Sequence, residues 1–323
     1  MTARLTAVFT LSIAACSSAS RISAIPADSG IVDGPPGAED APSGTDAGSE
    51  GSPVVLGTMR LLELTGLVDP AGAMVTFLDA QAAFHASLSH DYDDRQAGVG
   101  CTADHYDAAA KPAPADADAG WLRMSGFTGG QLLDAGLAAQ PIVCTRVSGY
   151  YRCAYPSGTV VSGAFFAADQ SPLGSTPIEF AMNGGAAFGP RAIHATPIGK
   201  ATTAEDLTAV HYSESADATF HVSCSDACAL GSIALDLTAR QASSANAGWP
   251  YPSVGVVHCL LEPAPTISIP QAAIAAMFAG DTAVDSVVTS VALVPMAPAT
   301  ANDDKGNQLA AQVGRGVFGV APR

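Results

Sequence analysis

Lysine is almost missing from this chain: Lys111, Lys200 and Lys305 are the only three in 323 residues. Thirty acidic residues face 14 basic ones, for a formal net charge of −16. That balance excludes nucleic acid as a partner, because binding it needs a basic surface that displaces counterions. It also excludes direct electrostatic docking to anionic lipid. Catalytic signatures are missing too: there is no G-x-S-x-G elbow, no H-E-x-x-H pair and no P-loop. A Ser-His-Asp triad would leave no such trace, since its members can lie far apart in sequence. Aromatic residues make up only 6% of the chain, which argues against a dedicated carbohydrate binder.

What is present begins at the N-terminus. Met1 to Arg4 is a short head with one positive charge. The run Leu5 to Ala15 is apolar or small throughout, with Leu5, Val8, Phe9, Leu11 and Ile13 spaced by Thr, Ala and Ser. It is far below the roughly 20 residues of a permanent transmembrane helix and fits the apolar core of a secretory signal. It ends in Ile13-Ala14-Ala15-Cys16. This tetrapeptide resembles the lipobox of bacterial lipoproteins: an aliphatic residue, two small residues and a cysteine. The resemblance implies cleavage after Ala15, a diacylglyceryl thioether on Cys16, and attachment to the membrane through the acyl chains. Two or three chains, at about 0.8 kcal/mol per buried CH₂, make a stable anchor. Ser17 stands where an Asp commonly retains such proteins at the inner membrane, so the resemblance implies an exported protein held in the cell envelope at the outer membrane.

Residues 1–15 thus read as a signal peptide and 16–53 as a lipidated cysteine and linker. In the linker Ser, Gly, Pro, Ala, Asp and Glu dominate, and Ile22, Ile25, Ile31 and Val32 are the only large aliphatic residues. Such a stretch cannot bury enough apolar surface to offset chain entropy and is expected to be a disordered tether. The remainder, with 24 acidic and 12 basic residues, is long enough for one large or two ordinary domains. Polar and small residues gather at 197–205, which suggests a first half over 54–200 and a second over 201–323, able to form one rigid unit.

Setting Cys16 aside leaves six cysteines: Cys101, Cys144, Cys153, Cys224, Cys228 and Cys259. An even number in an exported chain reads as up to three disulfides. The segment Cys144 to Cys153 reads as a hairpin with a Ser148-Gly149 turn. Counting outward places Cys144 opposite Cys153 in a non-hydrogen-bonded pair, where the Cα atoms approach to about 4.5 Å and a disulfide can form. Three cysteines on each side of the boundary cannot pair among themselves. One crossing bridge with Cys101 at one end is the favoured solution, with Cys224 or Cys228 bonded to Cys259 in the second half.

The body alternates with period 2 in many short segments. Phe220, Val222 and Cys224 share one face, as do Ile233, Leu235 and Leu237. Further strand candidates lie at 58–64, 74–78, 121–125, 159–166, 178–181, 254–261, 287–294 and 313–320, separated by Gly, Pro, Asn and Asp. The expected class is mainly β, one or two β-sandwich-like domains. One short amphipathic helix is expected where Pro270 can sit at its first position, Ile274, Met277 and Phe278 form a stripe, and Gly280 ends it.

Residues 89–118 concentrate His90, Asp91, Asp93, Asp94, Asp104, His105, Asp107, Asp116 and Asp118. Carboxylates converging there could hold Ca²⁺, and His90, Asp91, Asp93, His105 and Asp107 could hold Zn²⁺. The spacing matches no established loop, and a solvated acidic surface is the simpler reading, so no cofactor is expected. The segment 302–307 has some likeness to a calcium loop but lacks the distal Glu, and a turn is expected there. Trp121, Trp249, Tyr251 and the pair Tyr150-Tyr151 could make a sugar-stacking platform, Trp249 and Tyr251 being the first to inspect. The sequence points to a non-catalytic binding or structural module of the envelope, with a protein or glycan partner; the alternative is a periplasmic or surface hydrolase with a dispersed site.

Overall fold

Alternation along each strand decides which residues face the core. The computed structural model describes residues 55–67, 74–85, 95–96, 100–105, 116–127, 140–156, 158, 161, 165–210, 212–224, 231–241, 253–278 and 287–322. In the first part of the chain run β1 (Val55–Leu67), β2 (Met74–Phe84), β3 (Arg95–Gln96), β4 (Cys101–His105), β5 (Leu122–Ser125) and β6 (Ile142–Val147). There follow β7 (Tyr150–Ala154), β8 (Phe165–Ala167), β9 (Ile178–Met182), β10 (Arg191–Ala195), β11 (Ala201–Thr203) and β12 (Ala218–Cys224). The last part holds β13 (Ser232–Gln241), β14 (Ser253–Leu261), β15 (Thr266–Ile269), α1 (Gln271–Phe278), β16 (Val287–Met296), β17 (Ala299–Asn302) and β18 (Gln308–Pro322). The protein is mainly β, in sandwich-like layers.

The central sheet has ten strands in the order β3-β4-β14-β13-β16-β18-β1-β2-β8, with β17 also pairing β18. It takes strands from both sides of residue 200. Its pairs are antiparallel except one: β1 runs parallel to β18, from Val55 opposite Gln308 to Gly66 opposite Phe318. Residues 197–205, where composition suggests a boundary, are themselves tied in. Ala201–Thr203 pairs with β12, and Lys200 bridges to Arg315 of β18.

One face of the central sheet is covered in two places. Met59, Leu61, Leu78, Phe84, Leu309 and Val313 pack against the five-stranded sheet β10-β9-β5-β6-β7, whose inner face presents Leu122, Met124, Ile142, Ile178 and Phe180. Further along the same face, Ile233, Leu235, Leu237, Val257, Val291 and Leu293 pack against Phe220, Ile267, Ile269 and the α1 residues Ile274, Met277 and Phe278. The opposite face carries a smaller cluster: Leu62, Leu64, Phe77, Ala234, Val294, Met296 and Phe318. The odd and even positions of β1, β13 and β16 thus serve different cores, so these strands bury apolar side chains on both faces, in keeping with their apolar runs.

Backbones crowd closely along the spine of this sheet. A Cβ on Gly66 would sit 1.8 Å from the Phe318 carbonyl oxygen, and one on Gly316 would sit 2.0 Å from that of Leu293. Only glycine fits such an approach.

The α1 stripe is the one expected from the sequence, with Ala273, Ile274, Met277 and Phe278 buried. Pro270 precedes the first turn rather than entering it: its carbonyl accepts from Ala273 and Ile274. The side-chain cap comes from elsewhere, Asp217 Oδ1 accepting the Gln271 N–H at 2.7 Å. That satisfies one of the free donors at the helix start.

The hairpin register is also the expected one. Val147 faces Tyr150, Cys144 faces Cys153, and the two cysteines are bonded with Cα atoms 3.9 Å apart. Ser148 and Gly149 both have positive φ, 53° and 90°, as a two-residue type I′ turn requires. The second bridge corrects the expectation that Cys259 bonds Cys224 or Cys228: Cys259 is bonded to Cys101. The cause is a long-range pairing. Strand β4 lies beside β14 with Cys101 directly opposite Cys259, so Cys101 does cross between the halves. Cys224 is disulfide-bonded as well; Cys228 and Cys16 lie outside the described residues.

The two described bridges close loops of very different length, with separations of 158 and 9 residues. Loop entropy makes the long closure worth about 5 kcal/mol and the short one about 2.6 kcal/mol. Urea unfolding of Cys101→Ala/Cys259→Ala is therefore expected to show the larger loss, and Cys144→Ala/Cys153→Ala about half of it.

Candidate functional site

The second face of the central sheet buries charge among its apolar side chains. Asp236 on β13 stands directly opposite His258 on β14, and its carboxylate accepts from the His258 ring Nδ1 and pairs with the Arg60 guanidinium. Arg60 belongs to β1, three strand positions away. The ladder aligns Asp236 with Ala292, Phe318 and Gly66, so in a flat sheet Arg60 would lie about 14 Å across the strands and about 20 Å further along them, and the contact requires the face to curl inward. The Arg60 side chain is only 11% exposed. Next to it on β2 stand Gln81, its cross-strand neighbour, and Asp79, whose carboxylate accepts from Gln81 Nε2 at 2.7 Å and adds to the field that keeps Arg60 charged. Burial alone would push the Asp236 carboxyl up. The charges of Arg60 and His258 overcome this and hold it well below the usual carboxylate range.

This His-Asp pair has the composition of half a catalytic triad. Among the described residues, however, no serine or cysteine side chain is hydrogen-bonded to His258, and the carboxylate is already shared with an arginine. Its chemistry is that of a buried ionic network.

The acidic residues read as metal candidates do other work where the structure describes them. His105 is described, and its Nδ1–H donates to the Met277 carbonyl at 2.9 Å, so this nitrogen joins β4 to α1. His90, Asp91, Asp93 and Asp107 lie outside the described residues. Asp116 accepts the backbone N–H groups of Phe84 and Tyr151, each at 3.0 Å; burial nevertheless pushes its carboxyl up. Asp118 accepts from Gly120 and Ala186, which lowers its own. Asp303 closes the turn at 302–307 by accepting from the backbones of Lys305, Asn307 and Gly189. Lys305 Nζ then donates to the Gly185 and Ala186 carbonyls at 2.8 and 3.0 Å, clasping that loop. No group of three or more possible metal ligands occurs among the described residues. His221 donates through its backbone N–H and lies with Nδ1 2.6 Å from the same Glu205 carboxylate. Although burial works the other way, bonds from Thr203 and His221 hold Glu205 at about 2.

The five-stranded sheet leaves its outer face open. Inward positions Leu122, Met124, Ile142, Cys144 and Cys153 are buried. Outward stand Arg123 on β5, Val143, Thr145 and Val147 on β6, and Tyr150 and Arg152 on β7. Trp121 precedes β5 by one residue and continues its ladder: its N–H donates to Asn183 Oδ1 at 2.7 Å, and its carbonyl accepts from the Asn183 backbone. The β5–β6 register, Leu122 opposite Cys144, then sets Trp121 beside Thr145, which faces Arg152. Trp121 is 43% exposed, Tyr150 37% and Val147 50%. Tyr151 points the other way; its hydroxyl accepts from Ala119 and donates to Gly120, and its ring packs on Phe84. Of the residues first singled out for stacking, Trp249 and Tyr251 lie outside the described residues. Trp121 and Tyr150 are the pair brought to one surface.

No family model matches this chain, and neither does any curated protein or solved structure.

Removing one partner of the buried network leaves the others uncompensated. Asp236→Asn is expected to cost about 3 to 5 kcal/mol, measured by urea unfolding at neutral pH. The pH dependence has a defined sign. A carboxyl depressed in the folded state stabilises above its ordinary value of 3.8, and that contribution is lost as pH falls through the folded value. Wild type should therefore lose stability below pH 3.8, and the variant, already weakened, should fall less steeply over the same range.

Proposed function

We propose that this protein is an exported lipoprotein of the cell envelope, held in the outer membrane by acyl chains on Cys16. Its disulfide-braced β body acts as a non-catalytic binding module. The observation that carries the binding half is the open face of β5, β6 and β7, where Trp121, Val147 and Tyr150 stay exposed on a sheet whose other side packs on the central sheet. Exposed large apolar groups gathered on one surface mark interaction sites. The envelope half rests on the lipobox at 13–16, and the oxidised state of Cys101, Cys144, Cys153, Cys224 and Cys259 supports it, because such bridges persist outside the reducing cytosol. Among the described residues no helix is long and apolar enough to cross a membrane.

Two measurements test the two halves separately. Cys16→Ser should move the protein from the membrane fraction to the soluble fraction, and intact mass of wild type should show a chain beginning at Cys16 with lipid attached. A wild-type chain that starts elsewhere or carries no lipid overturns the anchor. A fluorophosphonate probe should leave the folded protein unlabelled. Robust labelling that disappears on denaturation would replace the binding module with a hydrolase.

A further inference from the structure

We infer that the outer face of the five-stranded sheet binds an acidic polysaccharide, one carrying a carboxylate on its sugar rings. The inference deepens the binding reading above and depends on it. Its basis is a local reversal of charge. The body carries twice as many acidic as basic residues, yet the outward positions of β5, β6 and β7 hold Arg123 and Arg152 and no carboxylate. On the same face Glu179 of β9 lies opposite Ser125 of β5, two residues along from the position that faces Arg123, with His194 of β10 3.5 Å from its carboxylate.

The spacing suits a linear glycan. Arg123 lies two residues from Trp121 along β5, about 7 Å, and Arg152 lies two strands across from Trp121, about 10 Å. Tyr150 is a further two residues along β7 from Arg152. A pyranose ring is flat and has an apolar C–H side that stacks on an aromatic face, while its hydroxyls and carboxylate project from the rim. Trp121 and Tyr150 offer the stacking surfaces. Arg123 and Arg152 offer planar donor forks that match a carboxylate. Thr145 lies between Trp121 and Arg152 and adds a hydroxyl. Asn183 Oδ1 accepts the Trp121 N–H, and among the described residues its Nδ2 donors have no partner. The platform is an open sheet rather than a pocket, so a polymer passing across it fits where a buried small molecule does not. Aromatics are scarce in the chain as a whole, which makes their meeting with two arginines on one face the informative feature.

The test uses the full chain in detergent micelles and immobilised polygalacturonate, with neutral dextran and poly-glutamate as controls. Wild type should bind polygalacturonate, weaken as salt is raised, and bind neither control comparably. Arg123→Ala/Arg152→Ala and, separately, Trp121→Ala should each weaken binding about tenfold or more, with melting temperatures close to wild type because all three side chains are exposed. The conservative Arg123→Lys/Arg152→Lys should recover only part of the loss, since an ammonium lacks the fork. Equal binding to poly-glutamate overturns the proposal in favour of bare charge, and equal binding to dextran removes the role of the carboxylate; both leave a binding module standing. Self-association abolished by Trp121→Ala would assign the face to a second copy of the chain. Folded wild type that ignores polygalacturonate overturns the inference alone, whereas hydrolase-probe labelling overturns the reading beneath it.

Discussion

The first and last described strands of the chain lie side by side, and the architecture hangs from that ladder. Strand β1 sits between β18 and β2, so the parallel pairing is the seam between β1, β2 and β8 on one side and the antiparallel run from β18 to β3 on the other. Parallel neighbours cannot be joined by a tight turn, and here almost the whole described sequence separates them. The five-stranded sheet packs on β1, β2 and the start of β18. The α1 layer packs on β13, β14 and β16. Each layer thus has its own core, and the shared sheet makes them one body. The Cys101–Cys259 bridge fastens the far end of that sheet, where β4 joins β14.

The buried ionic network follows from the same curvature. A curled sheet with long strands brings side chains of distant strands together, and Arg60 meets Asp236 across that inner face. Such a pair is weak evidence of stabilisation, because withdrawing both charges from water offsets most of their attraction. Its stronger effect is on register. A slip of β1 by one residue would turn Arg60 into the apolar core beneath the five-stranded sheet and leave Asp236 buried beside His258 alone.

Local features of the sequence were legible and distant ones were not. The Cys144–Cys153 register, the alternation of Ile233, Leu235 and Leu237 and the α1 stripe need only neighbours in sequence, and each can be counted off residue by residue. The Cys259 partner depends on β4 lying against β14, which no local count reveals. The role of Asp116 and Asp303 was hidden for a related reason. A carboxylate that binds backbone amides has no residue-type partner to betray it, so clustered aspartates look like a metal site in sequence. The open face was half visible: Trp121 and Tyr150 stood out as aromatics, but nothing joined them to Arg123 and Arg152 until the β5–β6–β7 pairings set all four on one surface.

The geometry of the seam also decides how the body answers tension. The chain enters β1 at Val55 and leaves β18 at Pro322, at opposite ends of a parallel ladder. A pull between the two termini therefore slides one strand along the other and loads the backbone hydrogen bonds of the whole ladder together. An antiparallel hairpin pulled at its open end gives way one bond at a time, like a zip.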